Sequence, residues 1–365
     1  MRARGVLPAR LPELDLLRAV ALLCVGVIHA GAWITPAEAP PWQNGLAAAS
    51  ALARFSVPGF VFASGFALFH GYAGRSVRPV EFLRRRLVRI LLPWACFVPV
   101  FLALGSARGD PRLRADAVGQ WLASGPGHLY FLVLIAQLCV AFLMLPRDPA
   151  KLARATGALL ALQLALMAWR TYGPLPSGAL AWPGIYSAIE EAPFWLGTFT
   201  LGCLAAAEWR RLTAFDRWWP VGVLGSIAAA ALVLAEARLV PAGPLREGSA
   251  GFLWPTRLAQ TATWALTLLW LGRRMYPRAA GAWRPVRELS GRSLGIYLLH
   301  PIALDVAGPH TQALPPAIRV PALIVVSFAA AYAAVWLLAR SRPTAVAVGE
   351  RAPPLLQGRP TRMAA

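Results

Sequence analysis

The sequence contains few charged residues and almost no lysine. Of its 365 residues, 14% are charged and 58% are hydrophobic, whereas about a quarter of the residues in a soluble domain are charged. Lys151 is the single lysine, so the Gly-Lys phosphate-binding loop of ATP-driven proteins cannot occur. The four cysteines lie inside apolar runs without Cys-x-x-Cys spacing, which fits neither a disulfide framework nor a zinc site. These absences argue against a soluble globular protein and an ATP-driven transporter.

The charge balance is strongly basic, but its distribution does not indicate nucleic-acid binding. Thirty-six Lys and Arg residues oppose 16 acidic ones, for a formal charge of +20. The basic residues separate long apolar runs and do not form a soluble patch, so we expect no nucleic-acid partner. No His-Glu-x-x-His motif or His/Cys cluster is present, and we therefore expect no metal site.

Long apolar runs recur along the whole chain. Each is close to the roughly 20 residues that a helix needs to cross a bilayer. The runs are rich in Ala and Leu and do not alternate with period two, which favours helices over strands. The sequence therefore predicts an all-α, multi-pass protein of the cell membrane, with one transmembrane domain over residues 1–340 and a basic, disordered cytoplasmic tail over 341–365. The predicted spans, about ten in number, are residues 16–34, 46–69, 87–106, 129–146, 152–171, 184–207, 219–236, 252–272, 291–308 and 319–340.

The arginines between the runs predict the orientation. With the N-terminus in the cytoplasm, 26 of the 36 basic residues fall on the cytoplasmic side and nine on the other. This bias predicts an N-in, C-in topology. A cleaved signal peptide is an alternative, because Ala19 to Ile28 is apolar and small residues follow it. The charged residues Glu13, Asp15 and Arg18 at the start of that stretch argue against cleavage.

The first predicted span contains three ionisable residues, Asp15, Arg18 and His29. Such residues are costly in lipid and are therefore functional candidates. Eleven helical residues return to within about 20° of the starting direction and rise about 16 Å, so Arg18 and His29 share one helix face. Asp15 lies one turn before Arg18 and can pair with it. His29 is a candidate general base near pH 7; alternatively, Arg18 reaches the interface and His29 only bonds a neighbouring helix.

Six motifs follow one another along residues 14–301. Together they resemble the acyltransferase-3 family of membrane O-acyltransferases, in which an Arg or Lys is followed after ten residues by a His in the first span. Tyr130 stands where that family usually has Trp. The motifs are Leu14 to Ala21 followed by His29, Ser56 to Phe66, the basic segment Phe82 to Trp94, Gly127 to Leu132, Phe194 to Gly197 and Leu289 to His300.

The resemblance implies transfer of an acyl group, usually acetyl from acetyl-CoA, to a hydroxyl. Acceptors in the family are commonly sugars of envelope or secreted polysaccharides, and sometimes macrolides. We thus expect acyl-CoA as a co-substrate, no tightly bound cofactor, and the lipid bilayer and a glycan as partners. The resemblance also assigns the essential histidine to His29. A transporter of glycans or small solutes is the alternative function.

Basic and polar residues elsewhere complete the predicted site. Arg84, Arg85, Arg86 and Arg89 are candidates for binding the donor phosphates, because arginine binds phosphate in a bidentate manner. Arg86 and Arg89 have a spacing that places both on one helix face. The alternative is that these arginines only orient the helix.

Five further residues are candidates for lining the cavity or meeting the acceptor: Ser64, His128, Tyr130, Tyr297 and His300. Ser64 lacks the preceding glycine of a nucleophile elbow, which favours a packing role. His128 either meets the acceptor or lies simply at the interface. Tyr297 and His300 are three residues apart and, with Asp305, form one polar stripe on their helix.

Overall fold

The computed structural model describes residues 11–34, 43–107, 127–173, 191–214, 216–240 and 251–350. Within these ranges all regular secondary structure is helical, which confirms the predicted all-α class. The helices are α1 (Pro12–Gly31), α2 (Gln43–Ala53), α3 (Ser56–Tyr72), α4 (Pro79–Ala107), α5 (Tyr130–Met144), α6 (Pro149–Tyr172), α7 (Leu196–Ala207), α8 (Trp209–Ala214), α9 (Trp219–Leu239), α10 (Thr256–Met275), α11 (Arg284–Gly291), α12 (Ser293–His310), α13 (Pro316–Leu338) and α14 (Arg342–Ala347).

Seven helical stretches among the described residues are long and apolar enough to cross a membrane. The other three predicted spans also contain helices, namely α7, α10 and α12. Of these, α7 has only 12 residues, and α10 and α12 contain buried polar side chains such as Arg257 and His300. The chain is thus a multi-pass membrane protein, and the count of about ten spans stays a prediction. The seven stretches are Pro12–Gly31, Gly45–Tyr72, Pro79–Ala107, Gly127–Met144, Pro149–Tyr172, Trp219–Leu239 and Pro316–Leu338.

Helices α3 and α7 approach each other closely because each carries a glycine at the contact. A Cβ atom on Gly65 would lie 2.1 Å from the carbonyl oxygen of Phe199, and one on Gly202 would lie 2.1 Å from that of Phe62. The thiol of Cys203 donates to the Gly65 carbonyl at 3.4 Å. Small residues permit such contacts between membrane helices. Ser64 is half-buried beside Gly65, a position consistent with the packing role.

Helix α1 lies at the centre of the bundle and runs parallel to α12. Near its start, the buried carboxylate of Asp15 accepts a hydrogen bond from Ser290 at 2.7 Å. Just past its end, Trp33 packs against Gly308, where a Cβ atom would lie 2.4 Å from the indole ring. Asp15 and Trp33 are 18 residues apart, and so are their partners Ser290 and Gly308. The equal spacing shows that the two segments run in the same direction, with the second half of α1 against α12.

The structure differs from the predicted disordered tail over residues 341–350. There α14 packs on the bundle, with Ala345 0% and Val348 1% exposed. Burial raises the pKa of the Glu350 carboxyl above its ordinary value. The apolar stretch from Ala345 to Val348 accounts for the packing, because it supplies a hydrophobic surface to a short amphipathic segment. The rest of that predicted tail, 351–365, and the start of the predicted span 184–207 lie outside the described residues.

The glycine contact predicts that Gly65→Ala destabilises the protein. The added methyl group meets a backbone carbonyl that cannot rotate away, and such overpacking costs about 1–3 kcal/mol. Thermal unfolding of the purified protein in detergent, followed by tryptophan fluorescence, should show a lower Tm. Gly157→Ala on α6 is the matched control, because no heavy atom lies within 4 Å of its Cβ position. Equal Tm values for the two variants would contradict the close approach of α3 and α7.

Candidate functional site

Three imidazoles from different parts of the chain converge in the interior. His29 lies near the end of α1, His128 in the 3-10 turn before α5, and His300 in the middle of α12. The ring centroids are 4.9 Å apart for His29 and His300, 6.2 Å for His29 and His128, and 5.9 Å for His128 and His300. All three pairs meet edge to face. The structure thus brings together three residues that the sequence analysis identified separately, and we call them the histidine cluster.

Two backbone carbonyls determine the tautomer of His300. Its Nδ1 atom lies 3.1 Å from the carbonyl oxygen of Ile296 and 2.9 Å from that of Tyr297. Since both carbonyls can only accept, Nδ1 carries a proton and donates it to them. In the neutral ring, Nε2 then holds a lone pair. This atom is buried and has no hydrogen-bond partner in the described ranges. A buried polar atom of this kind calls for a functional explanation.

His128 is held in place through its backbone. The hydroxyl of Tyr297 donates a hydrogen bond to the His128 carbonyl, and the two rings are 5.0 Å apart. Gly127 has a φ of +55°, which lets the chain turn sharply into the 3-10 segment. The Nε2 atom of His128 is also buried and without a partner among the described residues. Tyr130, with 8% of its surface exposed, begins α5 directly after this turn.

Aromatic rings enclose the histidine cluster. Phe101 of α4 lies 4.8 Å from the His128 ring, and Phe328 of α13 lies 5.9 Å from the His300 ring. Helices α4 and α13 therefore both contribute to the enclosure. In such low-dielectric surroundings hydrogen bonds and charges interact more strongly than in water.

A cavity of about 240 Å³ adjoins His29. The half-buried imidazole of His29 therefore has the histidine cluster on one side and an open space on the other. Asp305 provides a carboxylate in the same space, and Trp33 provides an aromatic wall. The volume suits one small group and not a whole drug-sized ligand. The lining residues include Ile28, His29, Trp33, Pro301, Leu304 and Asp305.

Asp15 and Arg18 lie at the other end of α1. The helix rises about 16 Å between Arg18 and His29, so the structure does not bring them into the histidine cluster. Asp15 is 4% exposed and accepts from Ser290 of α11. The sequence could suggest the neighbour Arg18 as its partner, but it could not indicate Ser290, which is 275 positions away.

The candidate donor-binding arginines do not share one environment. Arg85 and Arg89 are exposed, and Arg85 forms an ion pair with Glu81. Arg86 is half-buried, and its guanidinium lies 5.8 Å from the centre of the Tyr72 ring. Of the basic segment, Arg86 is therefore the residue that turns toward the bundle.

A second buried polar network was missed by the sequence analysis. Arg257 is fully buried in α10 and donates through Nε to the Gly251 carbonyl at 3.0 Å and through Nη1 to Gln260. Nearby, Glu236 accepts from the backbone amide of Thr256 at 3.1 Å. Arg257 is one of the nine basic residues that the sequence analysis counted on the non-cytoplasmic side, and no partner was predicted for it. Its position inside the predicted span 252–272 could have indicated that it is buried with polar partners, because an arginine within a span has to find internal partners.

The histidine cluster is not arranged as a metal centre. In the portion of the chain covered by the structure, no group of three or more His, Cys, Asp or Glu side chains could hold a metal ion. What the cluster can do is proton transfer. Neutral imidazoles with an accessible lone pair serve as general bases and then as general acids.

The comparisons with known proteins identify one related family. The family model of acyltransferase 3, described as an acyltransferase domain, matches residues 11–339. This confirms the resemblance that the motifs indicated. The comparison with curated proteins and the comparison with solved structures each gave no match.

The tautomer of His300 can be read by ¹⁵N NMR. The chain has five histidines, so labelling them in a nanodisc preparation gives a small set of signals. We expect His300, assigned by its loss in His300→Asn, to be protonated at Nδ1 and bare at Nε2. The same substitution should shift the signals of His29, whereas His310→Asn, which removes an exposed ring, should not. A His300 protonated at Nε2 would contradict the hydrogen bonds described above.

Proposed function

This chain belongs to the acyltransferase-3 family, and on that premise we propose that it moves an acyl group from acyl-CoA to a hydroxyl of an envelope glycan. As a family member it is a membrane acyltransferase that transfers groups other than aminoacyl groups. Acetyl is the acyl group that we propose, and a macrolide-type small molecule is the alternative acceptor. The cell membrane is the proposed location.

One observation carries the proposal: His29 lines a cavity, and its ring lies 4.9 Å from the ring of His300, whose buried Nε2 atom has no hydrogen-bond partner among the described residues. A hydroxyl in the cavity can reach the imidazole of His29. On the other side, the lone pair of His300 can accept a hydrogen bond from His29 and orient it. A base oriented by a third group in this way is the usual arrangement for activating a hydroxyl.

The proposed reaction uses these residues in order. His29 removes the proton from the acceptor hydroxyl while the oxygen of that hydroxyl attacks the carbonyl carbon of the thioester. The resulting tetrahedral intermediate collapses with cleavage of the carbon–sulfur bond. The thiolate of CoA leaves and receives the proton from His29, so that the histidine ends neutral. The Asp305 carboxylate, which lines the same cavity, suits a second hydroxyl of a sugar as hydrogen-bond acceptor.

The donor would have to reach His29 along the length of the bundle. Arg86 and Phe101 are 15 residues apart on α4, which corresponds to about 22 Å of helix. Phe101 contacts His128, so the basic end of α4 lies roughly that far from the histidine cluster. We propose that the CoA phosphates stay at the basic end and that the pantetheine arm carries the thioester inward.

The function predicts that His29→Gln loses acyl transfer while folding normally. A positioned general base contributes about 10²- to 10⁴-fold, and glutamine cannot accept and return a proton in this way. Proteoliposomes supplied with acetyl-CoA and a total envelope-glycan extract provide the assay, with release of free CoA as the signal. His310→Gln, which alters an exposed residue at the end of α12, is the control. Transport of glycan without any CoA release would favour a transporter and contradict the proposal.

We also propose that ten spans place both termini in the cytoplasm. Seven spans, an odd number, would instead leave the two termini on opposite sides of the membrane. Green fluorescent protein and alkaline phosphatase, fused in turn to each terminus, distinguish the two cases. Fluorescent but phosphatase-inactive fusions at both ends are expected, because the 26-to-9 distribution of basic residues favours that orientation. Phosphatase activity at one end only would show an odd number of spans.

A further inference from the structure

Four aromatic rings form a cluster at the basic end of the bundle. Phe69 and Tyr72 come from the last turns of α3, Phe82 from the start of α4, and Phe142 from the end of α5. The ring centroids are 5.2 Å apart for Tyr72 and Phe82, and 5.5 Å apart for Phe82 and Phe142. Phe82 and Phe142 are buried. We call these four rings, which three helices contribute, the aromatic platform.

Two arginines lie over this platform. The Arg86 guanidinium is 5.8 Å from the centre of Tyr72 and 6.0 Å from that of Phe82. The Arg147 guanidinium is 4.1 Å from the centre of Phe142 and 5.8 Å from that of Phe69. A guanidinium stacked on a ring keeps the N–H donors of its edge available for an anion. Arg147 follows α5 and lies in a part of the sequence that the motifs do not include.

Both guanidinium groups keep their hydrogen-bonding capacity. Among the described residues, neither Arg86 nor Arg147 forms a hydrogen bond or an ion pair. By contrast, Arg85 pairs with Glu81, and Arg211 with Glu208. The neighbouring Asp148 forms no ion pair with Arg147 among the described residues; its carboxylate caps α6 and accepts from the Lys151 amide at 2.9 Å.

Arg147 is also partly desolvated. Burial lowers the pKa of its guanidinium from the ordinary value, although arginine stays protonated at neutral pH. Its side chain is nevertheless exposed enough to be reached from outside the bundle. Two cationic donor groups that contact one cluster of apolar rings suit an anion with several oxygen atoms, such as a molecule with more than one phosphate group.

We propose that Arg86 and Arg147, held by the aromatic platform, form one site for the phosphate groups of the acyl-CoA donor. This inference rests on the proposed function and adds Arg147 to the donor-binding residues. Phe142 of α5 and Leu129, which adjoins His128 in the preceding 3-10 turn, are 13 residues apart, or about 20 Å of helix. This separation from the histidine cluster agrees with the one calculated along α4 from the helical rise. If the phosphates bind at this site, only the pantetheine arm of the donor has to enter the bundle.

The test is CoA binding to the full-length protein in nanodiscs of zwitterionic lipid, measured by calorimetry. Loss of one charge-assisted contact should raise the Kd for CoA by about 10- to 100-fold in Arg147→Gln and in Arg86→Gln. The Kd of Arg147→Lys should lie between those of the wild-type protein and Arg147→Gln, because lysine keeps the charge but loses the bidentate geometry. Arg154→Gln changes an exposed arginine of α6 at the same end and should leave the Kd unchanged.

Other outcomes separate this inference from the proposed function. If the wild-type protein binds CoA and Arg147→Gln binds it equally well, the two-arginine site is wrong while the proposed function stands. If the wild-type protein does not bind CoA, both are wrong. A second arm replaces part of the lipid with phosphatidylglycerol: retention of this lipid that depends on Arg147, with unchanged CoA binding, would assign the site to a lipid headgroup and overturn the inference.

Discussion

The hydrogen bonds from His300 to the carbonyls of its own helix determine what the interior of this protein can do. They use the Nδ1 proton and leave Nε2 as a buried lone pair that no side chain of the described residues satisfies. In a soluble protein a bound water could supply a partner at little cost. Within a membrane bundle an unsatisfied polar atom destabilises the fold. Its position beside His29, which it can orient, explains why the protein keeps it.

The remainder of the fold serves to hold the histidine cluster together. The contacts of Asp15 with Ser290 and of Trp33 with Gly308 fix α1 and α12 side by side. The hydroxyl of Tyr297 holds the turn that carries His128. Each of these contacts joins segments far apart in sequence, so the cluster exists only when the whole bundle has assembled. The basic end, with Arg86, lies about 22 Å away along α4, which separates the proposed donor-binding and reaction regions.

Much of this arrangement could be predicted from the sequence, because membrane helices are encoded locally. Apolar runs indicated the helices, and Arg18 and His29, predicted to share one helix, both lie in α1. The charges inside the first span drew attention to His29. What could not be predicted depends on tertiary contacts. The pairing of Asp15 with Ser290, the burial of Arg257 and the stacking of Arg147 on Phe142 each require knowing which helices are neighbours. The packing of Ala345 and Val348 could not be predicted either, because the segment around them is basic and contains proline, a composition typical of disorder.

The reaction that we propose depends on His29, which, oriented by its neighbours, would transfer the proton of an acceptor hydroxyl during acyl transfer. The most direct measurement supplies acetyl-CoA labelled with ¹³C to membranes and searches the envelope glycans for labelled O-acetyl esters by mass spectrometry. We expect labelled esters with the wild-type protein and their near-complete loss with His29→Gln at equal protein level. Equal ester labelling in the two preparations would contradict this role of His29.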